Sequence, residues 1–277
     1  MTADITILGT AQDGGFPHFG CTCARCERAR REPGLARAVA SLGVADEASG
    51  RRFLIDATPD LASQWLALGR PDEIWLTHGH TGHYAGLLHL GKESLNVRGL
   101  TLRATASMLG LLRDNAPWSM LLESGALTPS EIRPGVAFRP APDLEAIPVA
   151  VPHRAEHTDT VGFEIRGPAG ALFYAPDTDG FASWADELAA IAGRVDTIVI
   201  DGTFWSRDEL PGRDLSQIPH PFVSEELDFL ATLARRCAVL LTHLNHTNPL
   251  VDPGSEERGA VERAGVEVAA DGARRRI

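Results

Sequence analysis

The feature that most constrains the fold is the stretch Ile74–Leu90, IWLTHGHTGHYAGLLHL, in which an apolar run leads directly into closely spaced histidines. Ile74-Trp75-Leu76 has the pattern of a buried strand, and the leucines further along recur at helical spacing. His78, His80 and His83 are therefore expected in the loop between a strand and a helix, at the carboxyl end of the strand. α/β sheets usually bind their ligands at this place.

Three histidines within six residues indicate a metal site rather than isolated polar side chains. Imidazole is the commonest protein ligand for zinc and related metals. Gly79 and Gly82 let the backbone bend, so that two rings can reach one ion and the third can reach the same ion or a neighbouring one. The alternative interpretation is a hydrogen-bonded histidine cluster that binds no metal.

A second candidate metal site lies near the amino terminus, where Cys21, Cys23 and Cys26 form the pattern C-x-C-x-x-C. Three thiolates at this spacing can share one tetrahedral zinc ion, and a fourth ligand must then come from elsewhere in the chain. Cys237 is one candidate, but it opens an apolar run that reads as a strand, so a histidine near the carboxyl terminus is the better one. The alternative is a set of three free buried thiols.

Several other apolar runs end in a histidine or an aspartate, and the strands they predict would bring those side chains to one rim of a layered α/β sheet. The strand-end residues are His78, His153, Asp177, Asp201 and His243. The sequence contains no linker, repeat or low-complexity segment, which favours a single domain over residues 1–277. Val266–Val268 is expected to be the last strand.

Two further segments allow more than one interpretation. The glycine-rich segment Gly9–Gly15 lacks the lysine of a phosphate-binding loop, so it is either a tight turn or a loop that places Asp13 against a substrate. Met108–Leu127 has helical spacing with an interruption around Asn115–Pro117. This stretch could form a lid or the contact of a homodimer, whereas core packing is the more ordinary role for Trp118.

Composition narrows the function classes. Of 277 residues 44% are hydrophobic and 23% are charged, which is typical of a globular protein with a sizeable core. The net charge of −11 and the absence of a long basic run argue against a nucleic-acid partner and favour a small-molecule substrate. The sequence has neither a membrane-spanning run nor a signal-like amino terminus, and its clustered cysteines suit a reducing compartment, so a cytoplasmic location is expected.

Seven motifs, spread over nearly the whole chain, resemble those of the metallo-β-lactamase superfamily, and in particular those of the coenzyme PQQ synthesis protein B family. They are LGTAQDGGFPHFGCTCARC, DATPD, THGHTGHYAGLL, VPHR, LFYAPD, DGTFW and THLNHTNP. The cysteine cluster and the late His-x-x-His also resemble those of a phosphonate-pathway cyclic phosphodiesterase. The resemblance implies an α/β fold, namely a four-layer αββα sandwich with a metal site on the rim of its sheets.

The resemblance also implies a role for each matching residue. A first metal would be held by His78, His80 and His153, and a second by His83 and His243, with Asp177 bridging the two. A separate structural zinc would be held by Cys21, Cys23, Cys26 and His246. The superfamily motif is His-x-His-x-Asp-His, but this chain has Gly82 at the aspartate position, so one carboxylate ligand of the second metal is missing from the motif.

The favoured function is a metal-dependent hydrolase that uses a metal-bound hydroxide to attack an ester, a phosphodiester or a lactone. His157, Asp159 or Asp201 would serve as a proton shuttle or orient a ligand. Zn²⁺ is expected at the active site, and Fe²⁺ or Mn²⁺ would also suit it. Two alternatives stay open: a non-haem iron oxidoreductase acting in PQQ-type cofactor biosynthesis through His83, His243 and Asp177, and a non-catalytic metal or ligand binder.

Overall fold

Two sheets form the centre of the molecule. The computed structural model describes residues 2–210, 212–214 and 217–277, and within these residues each sheet has seven strands. The first sheet contains β1 (Ala3–Gly9), β2 (Ser41–Asp46), β3 (Arg52–Ile55), β4 (Glu73–Trp75), β5 (Leu100–Ala104), β6 (Leu127–Glu131) and β14 (Arg274–Arg276), in the order β14-β1-β2-β3-β4-β5-β6.

The second sheet repeats this plan. It contains β7 (Phe138–Ala141), β8 (Leu144–Ala150), β9 (Val161–Gly167), β10 (Gly170–Ala175), β11 (Thr197–Asp201), β12 (Ala238–Thr242) and β13 (Glu267–Val268), in the order β13-β12-β11-β10-β9-β8-β7. Neighbouring strands from β3 to β6 and from β10 to β13 run parallel. The carboxyl ends of the strands in each parallel set therefore meet at one edge of the sheet.

Helices cover the outer face of each sheet. The described helices are α1 (Ala24–Arg31), α2 (Leu61–Leu68), α3 (Thr81–Tyr84), α4 (Ala106–Asp114), α5 (Trp118–Glu123), α6 (Ala185–Ala192), α7 (Val223–Ala234) and α8 (Glu256–Arg263). Helices α2, α4 and α5 contribute to an apolar cluster on the first sheet, and α6, α7 and α8 to one on the second. This arrangement confirms the predicted four-layer αββα sandwich.

Alternation along the strands explains why both faces of each sheet are apolar. In β4 and the residue after it, Ile74 and Leu76 pack outward beneath helices, whereas Trp75 points inward between the sheets. The Trp75 ring lies 5.5 Å from the ring of Phe53 in its own sheet and 5.5 Å from that of Phe163 in the opposite sheet. Because both faces are buried, these strands read as continuous apolar runs.

Two expectations about the elements need correction. The helical stretch predicted over Met108–Leu127 is two helices, α4 and α5, and Leu127 already belongs to strand β6. Val266–Val268 is not the last strand, because Arg274–Arg276 follows it and pairs antiparallel with β1. Three consecutive arginines show no apolar alternation, so the sequence pattern gave no sign of this edge strand.

Trp118 is half-buried at the start of α5, and its ring lies 5.0 Å from that of Tyr84. This contact favours core packing for Trp118, and the homodimer stays a prediction.

Among the described residues, none of the helices has the length and apolarity needed to cross a membrane.

A close approach at Gly86 gives a stability test. Gly86 follows α3, and a Cβ atom added there would lie 2.0 Å from the carbonyl oxygen of Thr58, whereas one added at Gly110 in α4 would meet nothing within 4 Å. We expect Gly86→Ala to lower the free energy of unfolding by about 1–3 kcal/mol. Gly110→Ala, the matched control, should raise it by about 0.5–1 kcal/mol, because alanine is the better helix former. Urea unfolding measures both changes, and equal midpoints for the two variants would contradict the close approach of Gly86 to Thr58.

Candidate metal centre

The strand-end residues predicted from the sequence do converge on one rim of the sandwich. His78, His80 and His83 follow β4, His153 follows β8, Asp177 follows β10, Asp201 is the last residue of β11, and His243 follows β12. Their side chains form several groups of possible ligand atoms in which all atoms lie within 4.8 Å of one another. Loops from both sheets thus meet in a single cluster.

His78, His80 and His153 form the first of these groups. His80 Nδ1 lies 2.9 Å from His78 Nε2 and 3.1 Å from His153 Nε2. Zn–N bonds of about 2.0–2.1 Å in a tetrahedral site would place two ligand nitrogens about 3.3 Å apart, which is close to the separations seen here. The three nitrogens are therefore arranged as one face of a metal coordination shell.

Each ring of this first group is held through its other nitrogen by an oxygen atom. The pairs are Thr77 Oγ1 with His78 Nδ1 at 3.0 Å, Glu156 Oε1 with His80 Nε2 at 3.1 Å, and Asp179 Oδ1 with His153 Nδ1 at 3.0 Å. An oxygen partner of this kind fixes the orientation of a ligating imidazole and decides which nitrogen is free to bind a metal.

The second group consists of His83, His243 and Asp177. Asp177 Oδ2 lies 3.0 Å from His83 Nε2 and 3.3 Å from His243 Nε2, yet none of these three buried atoms has a partner in hydrogen-bonding geometry. The other oxygen of the carboxylate, Oδ1, faces the first group and lies 3.8 Å from His153 Nε2. The Asp177 carboxylate thus stands between the two groups with one oxygen toward each.

The rings of this second group are also fixed from outside. Asp56 Oδ2 lies 2.7 Å from His83 Nδ1, and Thr203 Oγ1 lies 2.9 Å from His243 Nδ1. Asp56 Oδ1 accepts hydrogen bonds from the backbone amide and the hydroxyl of Thr77. Asp56 and His243 both have positive φ angles, 66° and 60°, which is a strained conformation that the surrounding contacts maintain.

Burial separates the protonation behaviour of the two groups. It lowers the pKa of His78 well below its usual range and, together with the charge of His153, lowers that of His80 to about 4. Burial acts in the same direction on His83, but the charges of Asp177 and Asp56 outweigh it and raise the pKa of His83 well above its usual range. The imidazoles of the first group are therefore neutral. The buried carboxylates around the second group stabilise a positive charge there, either on a protonated His83 or on a bound cation.

The cysteine cluster is a separate site on the same side of the fold. His246 Nδ1 lies 3.7 Å from Cys21 Sγ, 3.9 Å from Cys23 Sγ and 3.6 Å from Cys26 Sγ. For a tetrahedral zinc ion with bonds of about 2.3 Å to sulfur and 2.0 Å to nitrogen, the S···N separation is about 3.5 Å, close to the three distances seen here. Burial and the charges of His18 and Arg25 lower the pKa of His246 to about 4, so its ring is neutral and able to bind metal at pH 7.

Comparison with known proteins identifies the family to which this fold belongs. Residues 51–244 match the family model of the beta-lactamase superfamily domain. The chain is also 31% identical to the coenzyme PQQ synthesis protein B of Pseudomonas putida (strain W619), over 97% of this chain and 98% of that protein. This chain belongs to the metallo-β-lactamase superfamily, in the branch of coenzyme PQQ synthesis protein B.

Further similar proteins match the chain over nearly its whole length. The coenzyme PQQ synthesis protein B of Methylobacterium radiotolerans is 31% identical over 97% of this chain and 98% of its own. Zn(2+)-bound PqqB from Methylobacterium extorquens superimposes with a TM-score of 0.84 at 26% identity, over 98% of this chain and 99% of that one. A diphosphatase from the PhnP family gives a TM-score of 0.74 at 25% identity, over 100% and 98% of the two chains.

The structure places the three predicted catalytic residues in different surroundings. Asp201 is buried beside the second group, where Oδ2 lies 2.7 Å from His220 Nδ1. The His157 ring is exposed and lies 6.0 Å from that of His80. Asp159 accepts hydrogen bonds from the hydroxyls of Thr105 and Ser107 at the start of α4.

Two side chains at this rim of the sandwich were not predicted from the sequence to be functional. Asp56 directly follows β3, and its sequence signal was the same as that of Asp177, an apolar strand followed by an aspartate. His220 is buried, and its ring lies 5.3 Å from that of His153 and 5.6 Å from that of His243. It follows no strand and stands between two prolines, so the local sequence gives no sign of its position.

The cysteine cluster yields a prediction with a control in the same chain. Cys26→Ser and His246→Ala should each lower the zinc content of the purified protein by about one ion per chain and reduce its thermal stability, because metal binding contributes to folding. Cys237 lies outside the cluster, where its thiol faces the carbonyl oxygen of Leu233, so Cys237→Ser should keep the full zinc content. Elemental analysis decides, and an unchanged zinc content in the first two variants would refute the site.

Proposed function

We propose that this protein is a metal-dependent hydrolase with two cation sites that share Asp177. The observation that carries the proposal is the set of three buried atoms without hydrogen-bonding partners: His83 Nε2, His243 Nε2 and Asp177 Oδ2. Leaving a buried polar atom unpaired costs about 1–3 kcal/mol, and here three such atoms face one another. A divalent cation in their midst would satisfy all three at once.

The imidazole and carboxylate side chains of the two groups are suitable ligands for Zn²⁺ and similar divalent cations. One cation would be held by His78, His80 and His153, and a second by His83 and His243, with one oxygen of Asp177 available to each. Although burial acts to raise the pKa of Asp177, the charges of His243 and His83 lower it well below its usual range, so the carboxylate is ionised at neutral pH. Three imidazoles are also the protein donor set of one class of catalytic zinc sites.

Cations bound in these two sets would polarise a substrate oxygen and lower the pKa of a water molecule, which is the chemistry of binuclear hydrolases. The protein supplies rigidity: the imidazoles are oriented by Thr77, Asp179, Asp56 and Thr203. A site held this way needs little reorganisation when charge develops on the substrate.

His220 is the best-placed group for handling a proton. Burial acts to lower its pKa, but the charge and hydrogen bond of Asp201 raise it above the usual value. Its Nδ1 is engaged with Asp201, which leaves Nε2 as the ring nitrogen free for exchange. The residue lines an open pocket of about 630 Å³ beside Asp179 and Phe222, so a substrate in that pocket would lie within reach of the ring. We assign His220 the role of proton donor to the leaving group, with Asp201 positioning it.

The proposed substrate is a small molecule with an ester, phosphodiester or lactone linkage. The similarity to a diphosphatase of the PhnP family supports a phosphate-containing substrate, and the similarity to coenzyme PQQ synthesis protein B supports a metabolite of that pathway. We propose Zn²⁺ as the working metal, in line with the Zn(2+)-bound relative, and Mn²⁺ or Fe²⁺ as substitutes.

A panel of phosphodiesters, carboxylic esters and lactones, assayed after reconstitution with Zn²⁺, Mn²⁺ or Fe²⁺, tests the proposal. At least one combination should turn over, and Asp177→Asn should reduce kcat/KM by about a thousandfold or more, because both donor sets lose a charged oxygen. The variant should retain the zinc of the cysteine cluster, which serves as the folding control. Full metal loading with no turnover of any substrate would instead indicate a binding protein.

One observation also favours an oxidoreductase. The second group has two histidines and one carboxylate, the ligand set of non-haem iron oxygenases; its members are His83, His243 and Asp177. The curated relatives are named for PQQ synthesis. Anaerobic loading with Fe²⁺ followed by an oxygen-uptake assay, run on the same substrate panel, discriminates between the two functions. Oxygen uptake that depends on substrate, without hydrolysis, would replace the hydrolase by this alternative.

The role of His220 can be separated from metal binding. His220→Gln should lower kcat by about 10²–10⁴-fold for a substrate with a poor, alkoxide-like leaving group, which is the range that general acid catalysis contributes. It should change the rate far less for a nitrophenyl substrate, whose leaving group needs no proton. The metal content should stay at the wild-type value. Equal losses on both substrates would exclude His220 as the proton donor.

A further inference from the structure

Asp13 lies against the second cation site although it comes from a distant part of the sequence. It belongs to the glycine-rich loop after β1, and its Oδ1 lies 3.6 Å from His83 Nε2 and 3.6 Å from His243 Nε2. The three side chains form a group whose possible ligand atoms are all within 4.8 Å of one another. A cation held by both histidines would therefore have a carboxylate oxygen of Asp13 within reach.

The loop that carries Asp13 is fastened to the segment that carries His243. The amide of Gln12 donates to the carbonyl oxygen of Leu244 at 3.0 Å, and the amide of Leu244 donates to that of Thr10 at 2.8 Å. Asp13 directly follows Gln12 in the chain, and His243 directly precedes Leu244. Their relative position is thus set by backbone hydrogen bonds rather than by flexible side chains.

Gly82 provides the space that Asp13 occupies. A Cβ atom built on Gly82 would lie 2.1 Å from Oδ1, 2.5 Å from Cγ and 2.9 Å from Cβ of Asp13. Any side chain at position 82 would consequently collide with the Asp13 carboxylate. Conversely, an aspartate at position 82 would project into this same volume if Asp13 were a glycine. The two positions are complementary, and a single carboxylate fits between them.

Charge gives an independent reason for a second carboxylate here. Two divalent cations bring four positive charges, and Asp177 is the one carboxylate that the two donor sets share. Buried charges are stable only when they are compensated nearby. Asp13 brings a second carboxylate oxygen to within 3.6 Å of both histidine nitrogens. About 45% of the Asp13 side chain is exposed, and the residue also lines an open pocket.

We propose that Asp13 is a ligand of the second cation, and that it supplies from the amino-terminal loop the carboxylate for which Gly82 leaves room. The inference rests on the proposed function, since it assumes that a cation occupies the site formed by His83, His243 and Asp177. It makes Asp13 a metal ligand rather than a residue of a tight turn or a direct substrate contact.

Metal titration tests the assignment without an activity assay. Protein stripped of metal is titrated with Zn²⁺ and with Co²⁺, and bound ions are counted by elemental analysis and by the cobalt absorption bands. The wild-type chain should bind about three ions, one of them in the cysteine cluster. Asp13→Ala and Asp13→Asn should each bind about two, with the affinity of the third weakened at least tenfold to a hundredfold, the range that losing even an outer-shell partner costs. Asp143→Asn, an exposed carboxylate in the turn after β7, is the charge-matched control and should bind three.

A reciprocal exchange makes the test specific. Asp13→Gly combined with Gly82→Asp should restore the third ion, whereas Gly82→Asp alone should not, because its side chain collides with Asp13. Zinc retained in the cysteine cluster shows that each variant is folded. Three ions bound with wild-type affinity by both Asp13 variants would overturn the assignment and leave the hydrolase proposal intact. A wild-type chain that binds only the cysteine-cluster ion would overturn both.

Discussion

The arrangement of the two histidine groups at the rim depends on the carboxylate of Asp177, which lies between them. It is buried, ionised and placed so that its two oxygens face different sets of imidazoles. An isolated carboxylate in such a place would be strongly disfavoured, because burial without compensation costs several kcal/mol. The histidines around it supply partial compensation, and the atoms left without hydrogen-bonding partners lie where a cation would complete it.

The sandwich makes this concentration of polar groups tolerable. Strand residues alternate between the inter-sheet core and the helix-covered faces, so the sheets are stabilised by apolar burial that does not involve the rim. The rim loops can then adopt conformations that would be costly elsewhere, such as the positive φ angles of Asp56 and His243. Strain of this kind persists only where the surrounding structure over-determines it.

What the sequence could predict follows from how local each signal is. His78, His80 and His83 lie within six residues of one another after an apolar run, and the cysteine pattern is equally compact, so both clusters were visible in the sequence. The four-layer fold was predictable because strand-end motifs from the whole chain resemble one superfamily. Asp56 shared the same strand-end signal, but its bond to His83 depends on how β3 and β4 pair. His220 had no signal, because tertiary packing alone brings it to the rim.

The same distinction between local and spatial information explains the apparent gap at Gly82. Within the local motif, a glycine where the superfamily has an aspartate predicts a second site with one ligand fewer. In the folded chain the Asp13 carboxylate fills the space beside Gly82, and it arrives there because backbone hydrogen bonds tie the first loop to the strand end that bears His243. A cation responds to the positions of oxygen and nitrogen atoms and not to the order of residues that carry them. A ligand can therefore move to another segment of the chain without changing the chemistry of the site, provided that the vacated position loses its side chain.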